Sequence, residues 1–176
     1  DVGPIAEPTA PQTAKLRQAI GAGPSEAVIL VGFGGIALQA PPFKQMEAMH
    51  GFRFLFDGPV PDGLSRVSSL STAGLPFKQV LASVDLILTK PGYGTTVESV
   101  ALGIPVVYVR RYNFADEPPL VEYLHRHGRG AELSRDAFEQ GQWEPAIRQA
   151  LAQSPVAPPP PLSGAQDAAD LLRTYF

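Results

Sequence analysis

Apolar positions along the chain fall into short β-branched runs separated by amphipathic stretches, the pattern of strands alternating with helices. Ala27–Val31 is apolar throughout and stopped by Gly32, which suits a strand buried on both faces of a parallel sheet. A helix is expected from near Pro42, since proline is tolerated in a first helical turn, to Gly51. Phe52–Phe56 reads as a second strand, residues 65–70 as a third and 76–83 as a helix. Residues 85–89 read as a fourth strand and 95–102 as a helix stopped by Gly103. Residues 106–109 follow as a fifth strand, 118–127 as a helix, 131–133 as a short sixth strand and 143–153 as a helix. The expected fold is α/β: a Rossmann-like, doubly wound parallel sheet of about six strands with right-handed crossovers.

Two proline-rich stretches frame this body. Residues 1–24 read as an interdomain linker with a lead-in helix, and the opening without methionine points to a piece of a longer polypeptide. Residues 155–176 read as a stiff Pro155 to Pro161 spacer of polyproline II type, followed by a terminal helix from about residue 164. The body between them is 25–154. The chain's 176 residues suit one domain rather than two. Charge narrows the chemistry: 14 basic against 17 acidic residues give a net charge of −3, so no global field favours nucleic acid or anionic membranes. Any anion site is local. Zero cysteines exclude thiolate metal sites and cysteine nucleophiles, and three isolated histidines make a metal site unexpected. No basic-then-apolar leader or bilayer-length run is present in the sequence, and a soluble, cytoplasmic protein is expected.

In doubly wound sheets ligands bind beyond the carboxyl ends of the strands, where the winding reverses. Two glycine loops fall there: Gly32-Phe33-Gly34-Gly35-Ile36-Ala37 and Lys90-Pro91-Gly92-Tyr93-Gly94-Thr95-Thr96. The first fits a dinucleotide fingerprint, with Asp57 at the spacing of a ribose-binding acid; Pro41 and Pro42 interrupt the helix that this mechanism needs. Asp57 before Gly58-Pro59 also reads as a turn former. In the second loop Gly92 and Gly94 remove bulk and permit positive φ, so that backbone amides can close on an anion. Thr95 and Thr96 add hydroxyls at a helix start, and Lys90 adds a point charge. Thr95-x-x-Glu98 equally matches a capping box that would satisfy the helix amides without a ligand.

Residues 85–119 carry a more specific pattern: strand, glycine loop, Thr-Thr-x-Glu helix, Gly-x-Pro, strand, then Asp116-Glu117. It resembles the donor-binding segment of GT-B glycosyltransferases, notably the lipid II-forming N-acetylglucosaminyltransferase and the UDP-glycosyltransferases. The likeness extends more weakly over residues 27–153. It implies the C-terminal, donor-binding half of a GT-B fold. It further implies a diphosphate held by Gly34, Gly35, Lys90, Gly92, Tyr93, Gly94, Thr95 and Thr96, ribose hydroxyls on Glu98, donor-sugar hydroxyls on Asp116 and Glu117, and a base edge at Leu75 and Phe77. Family members often carry Asp-Gln where this chain has Asp116-Glu117, which leaves the sugar open. No metal or cofactor is implied beyond the nucleotide-sugar substrate, of UDP type. The acceptor site and base would lie in a preceding domain or partner subunit, through which alone membrane association would arise. The isolated piece is then expected to be an inactive part of a hexosyltransferase-type enzyme.

Two alternatives stand beside that reading: a non-catalytic nucleotide- or sugar-binding module fused to another domain, similar to the segment in plant arabinose kinases, and the dinucleotide domain. Arg110 and Arg111 at the end of the fifth strand read as a solvated face. His125 and His127 read as helix-end cations, Trp143 as a packing residue, and Leu171, Leu172, Tyr175 and Phe176 as the apolar side of the terminal helix.

Overall fold

The computed structural model describes residues 2–33 and 41–175. Its strands are β1 (Ala27–Val31), β2 (Phe52–Phe56), β3 (Val67–Ser69), β4 (Leu86–Thr89), β5 (Val106–Tyr108) and β6 (Gly130–Glu132). They form one sheet in the order β3-β2-β1-β4-β5-β6, and every pairing is parallel. This is the expected doubly wound α/β sheet. β1 and β4 lie at its centre, in register from Ile29↔Leu86 to Val31↔Leu88, and the winding reverses between them. Central strands are covered on both faces, which is why Val28–Val31 and Leu86–Thr89 are buried without a break.

The helices are α1 (Thr13–Ala19), α2 (Phe43–Ala48), α3 (Phe77–Ser83), α4 (Tyr93–Leu102), α5 (Glu117–His127), α6 (Arg135–Glu139), α7 (Glu144–Ala152) and α8 (Gly164–Arg173). Successive strand side chains alternate between the two faces. Ile29, Val31, Phe54, Leu88 and Val107 join Met46, Phe138, Trp143 and Ile147 from α2, α6 and the start of α7. Val28, Leu30, Leu55, Ile87 and Val106 join Leu16, Val80, Val100 and Leu124 from α1, α3, α4 and α5. Trp143 is wholly buried, as expected of a packing residue: its Nε1–H donates to Phe138 O at 2.8 Å and its ring stacks on Phe138.

Several bounds differ from the sequence reading. The third strand is shorter, because residues 70–73 wind into a 3-10 turn that Gly74 ends at φ 58°. α6 lies where no helix was expected, and Ser134 caps it by accepting from the Ala137 amide. The lead-in helix α1 belongs to the body: Leu16 and Ile20 are core residues, and Arg17 Nη1 meets Asp85 Oδ2 at 3.1 Å. The proline stretch does not stand off as a spacer. It lies along the end of α5, where Ala157 N–H donates to Arg126 O (2.8 Å) and His127 Nδ1–H to Pro158 O (2.7 Å). α8 then returns to the first residues, with Gly164 N–H donating to Pro4 O and Gly3 N–H to Asp167 Oδ2. Gly164 is required there, since a Cβ would fall 2.0 Å from Gly3 O. Among the described residues no helix is long and apolar enough to cross a membrane.

Candidate functional site

The ends of β1 and β4, after which the two glycine loops begin, lie side by side at the winding reversal. From the first, Gly32 N–H donates to Leu88 O at 3.1 Å and Asp57 N–H to Val31 O at 2.9 Å, so Asp57 sits beside Gly32. Gly34 and Gly35, expected at the diphosphate, lie outside the described residues together with Ile36 and Ala37. α2 starts at Phe43 behind Pro42, as the prolines require.

The second loop is shorter than expected because α4 begins at Tyr93 rather than Thr95. Gly92 is its N-cap at φ −136°, Gly94 is already helical, and neither has the positive φ anticipated for them. Thr95 is therefore not an N-cap, and the Thr95–Glu98 capping box does not form. No side chain caps this end, and the first helical bond runs from Thr96 N–H to Gly92 O. The amides of Tyr93, Gly94 and Thr95 thus precede the ladder, at the positive end of a helix. Among the described residues a Cβ at Gly92 or Gly94 would meet nothing within 4 Å, so there is open space beside these two glycines. The two threonines part: Thr95 is half-buried, whereas Thr96 is 1% exposed with Oγ1 sealed from solvent and unpartnered. Of the two, Thr95 is the one placed to reach a ligand. The Tyr93 hydroxyl accepts from Ile5 N–H at 2.9 Å, which lays the first residues across this helix end.

Glu98, one turn further along, is 14% exposed and paired to Lys78 Nζ at 3.1 Å. Lys78 belongs to α3, so the pair ties α4 to the edge that contains Leu75, half-buried, and Phe77, exposed. The Lys78–Glu98 pair therefore brings Glu98 near the segment of Leu75 and Phe77.

Arg110 and Arg111 are not a solvated face. Only 27% and 13% of their side chains are exposed, because both turn onto Glu117. Glu117 Oε1 accepts from Arg110 Nε (3.1 Å) and Tyr112 N–H (3.4 Å); Oε2 accepts from Arg111 N–H (2.8 Å) and Arg111 Nε (3.3 Å). Four donors on two oxygens use the capacity of the carboxylate. Glu117 thus holds the turn after β5, and Asp116, with 58% of its side chain exposed, is the member of the pair that presents oxygen to solvent. Lys90 follows β4 beside this turn, and its pKa is lowered by burial and by the neighbouring Arg111 charge. With Phe33, Phe114 and Arg135 these cations surround a cavity of about 170 Å³. The arginine cluster escaped sequence reasoning; the available signal was an arginine pair followed six residues later by a glutamate at a helix start.

Both histidines at the end of α5 have structural partners, His125 Nε2 with the Tyr108 hydroxyl at 2.7 Å and His127 with Pro158 O. Among the described residues no group of three or more His, Asp or Glu side chains could hold a metal ion.

No protein-family model matches the chain. L-arabinokinase of Arabidopsis thaliana is 37% identical over 76 residues, which are 43% of this chain and 7% of that protein. Among solved structures, the calicheamicin glycosyltransferase CalG4 superposes with TM-score 0.62 at 21% identity, over 98% of this chain and 45% of its own. The glycotransferase of kitacinnamycin gives 0.57 at 18%, over 85% and 40%. Os79 from O. sativa, solved with U2F and trichothecene, gives 0.55 at 19%, over 80% and 36%. This chain spans less than half the length of each of these glycosyltransferases and a small fraction of the kinase. Sheet order, helix placement and superposition agree: the chain has the Rossmann-like fold found in GT-B glycosyltransferases.

Proposed function

We propose that the chain is the donor-binding half of a nucleotide-sugar-dependent glycosyltransferase of hexosyltransferase type, with a UDP-sugar as donor. The observation that carries this reading is the uncapped amide end of α4 at the winding reversal, with open space beside Gly92 and Gly94 among the described residues. Three backbone donors at a helix N-terminus match a diphosphate in charge and geometry. During transfer the leaving nucleotide diphosphate gains negative charge, and fixed amides, the Thr95 hydroxyl and the Lys90 ammonium would offset it without reorganisation. Glu98 would accept from both ribose hydroxyls, with the base against the edge at Leu75 and Phe77, and Asp116 would receive sugar hydroxyls. Glu117 takes the role of fixing the turn that carries Asp116. Os79, which shares the fold, has been solved in complex with UDP. A base for the acceptor is assigned to a preceding domain or a partner subunit.

Calorimetric titration with UDP, UDP-glucose and NAD tests the reading. UDP and UDP-glucose should bind, and Glu98→Ala should weaken both about tenfold, the loss of a charged hydrogen-bond acceptor. NAD binding that survives Glu98→Ala and disappears with Asp57→Ala would replace this reading with the dinucleotide one.

A second reading has its own support. The match to L-arabinokinase has higher identity than the glycosyltransferase superpositions and occupies a small part of a long chain. A nucleotide- or sugar-binding module fused to a domain of other activity fits that relation. UDP binding without donor hydrolysis or transfer, in a folded polypeptide that includes the preceding segment, would favour the module.

A further inference from the structure

The proline stretch has no part in holding a donor, and its side chains are displayed rather than packed away. Ala157, Pro158, Pro159 and Pro160 each precede a proline. A proline ring fixes its own φ and bars the residue before it from the helical region. Four such residues in succession leave polyproline II as the conformation open to the segment, a left-handed helix with three residues per turn. Burial follows that period. Ala157, Pro160 and Ser163 are half-buried, whereas Pro158, Pro159, Pro161 and Leu162 are exposed. One edge of the helix thus lies on the body and two edges face outward, Pro158 with Pro161 on one and Pro159 with Leu162 on the other.

Backbone groups hold the segment in this pose. A polyproline II chain has no internal hydrogen bonds, so its anchoring comes from outside. Here the end of α5 supplies it: Arg126 O accepts from Ala157 N–H at 2.8 Å and His127 Nδ1–H donates to Pro158 O at 2.7 Å. An extended helix that is already ordered spares a partner part of the entropy cost of binding. Pro155 and Pro159 also border a cavity of about 310 Å³ with Gly103, His127 and Arg129, which leaves open space beside these two rings. Proline rings repeated at i and i+3 along one edge fit the slots between aromatic side chains, and Pro158-x-x-Pro161 is such a pair. We propose that residues 157–162 are a docking ligand for a partner protein domain whose aromatic-lined groove reads a PxxP segment. The surface lies at the far end of α5 from Asp116, and the inference stands independently of the UDP reading.

Calorimetric titration of the intact chain with three purified domains of this class, an SH3, a WW and an EVH1 domain, tests it. The chain is used as the wild type, as Pro158→Ala/Pro161→Ala and as Leu171→Ala. At least one of the three domains should bind the wild type. The double substitution removes two rings from the contact and should weaken that binding at least about tenfold. Leu171→Ala, at an exposed apolar side chain of α8, should change it by less than about twofold. The single change Pro161→Glu, at an exposed ring beyond the two anchored residues, should act in the same direction as the double one and repeats the test if the double variant is less stable. No binding by any of the three domains overturns the proposal. Binding that survives both proline variants would place the contact elsewhere on the chain, and the proposal falls.

Discussion

Glu117 brings a carboxylate into a place with almost no solvent, 1% exposed, and the chain surrounds it with donors from the turn just before it. Burial alone would raise its pKa; the amides of Arg111 and Tyr112 and the guanidinium groups of Arg110 and Arg111 outweigh burial and hold the carboxyl below the usual range. The same bonds keep Tyr112 at φ 63°, a left-handed conformation that a tyrosine adopts at a cost. A depressed folded pKa gives stability that is present above the unfolded glutamate value, about 4.3, and lost as pH falls through the folded value. Glu117→Gln should therefore destabilise by about 2–3 kcal/mol near neutral pH, since it leaves two arginines facing an amide. The gap to the wild type should narrow below about pH 4. Urea midpoints measured from about pH 7 to about pH 3 check this; a gap that stays constant would mean that Glu117 is not the ionised clamp. This residue also marks the limit of the sequence as a source. Asp116-Glu117 reads as a matched pair of sugar-binding acids, yet one faces solvent and the other is consumed by protein. Only the approach of the β5 turn to the start of α5 distinguishes them, and no local pattern encodes that approach.

At the scale of elements, the inner strands β1, β2, β4 and β5 are the legible part because each is nearly continuous in apolar residues, and the two-sided covering that demands this also fixes their limits. β1 and β2 fall where the apolar runs begin and end. Helix starts are less legible. Gly94 reads as loop by propensity, yet it lies in the first turn of α4, where few intrahelical bonds depend on it. α6 is a five-residue helix whose one buried side chain, Phe138, gives no periodicity to detect. The glycines bounding α4 can be separated by experiment. Gly103 ends the helix at φ 69°, with Ile104 N–H donating to Ser99 O, and a Cβ there meets no atom. Gly103→Ala should cost about 1–2 kcal/mol through backbone conformation alone. Gly94→Ala should do the opposite, adding up to about 1 kcal/mol from helix propensity, because its φ is helical and its Cβ direction is empty. If a diphosphate occupies that space, the same methyl group should weaken UDP binding while the midpoint of thermal unfolding rises. A variant more stable and equally competent for UDP would move the ligand away from this helix end.

Across the whole molecule, the two ends of the described chain meet over the start of α4. Gly3 N–H donates to Asp167 Oδ2, Gly164 N–H to Pro4 O and Ile5 N–H to the Tyr93 hydroxyl, so a strap from the first residues runs between α8 and the candidate site. Val2, Pro4, Tyr93, Asp116 and Tyr123 border a cleft of about 340 Å³ beneath it. In sequence the ends read as a linker with a lead-in helix and a spacer with a terminal helix, because proline-rich composition carries no sign of what it will lie against. Their docking rests on a few hydrogen bonds and little buried apolar area, which makes it the low-stability end of the structure. Asp167 is its titratable part: the Gly3 amide, then the Ser163 hydroxyl, lower the Asp167 pKa below its usual value. By the same sign argument the clasp is fully present above the ordinary aspartate range and loosens as pH falls through the lowered value. Asp167→Ala should accordingly speed amide exchange at Gly3 and Ile5 and leave the amides of β1 and β4 protected. The wild type should show the same local acceleration only at acid pH. Because Ile5 is bonded to Tyr93, freeing the strap should also change UDP affinity, measured in the same variant. Exchange at Gly3 and Ile5 that is unaffected by the substitution would show that the ends are held by packing instead, with no path from α8 to the site through this carboxylate.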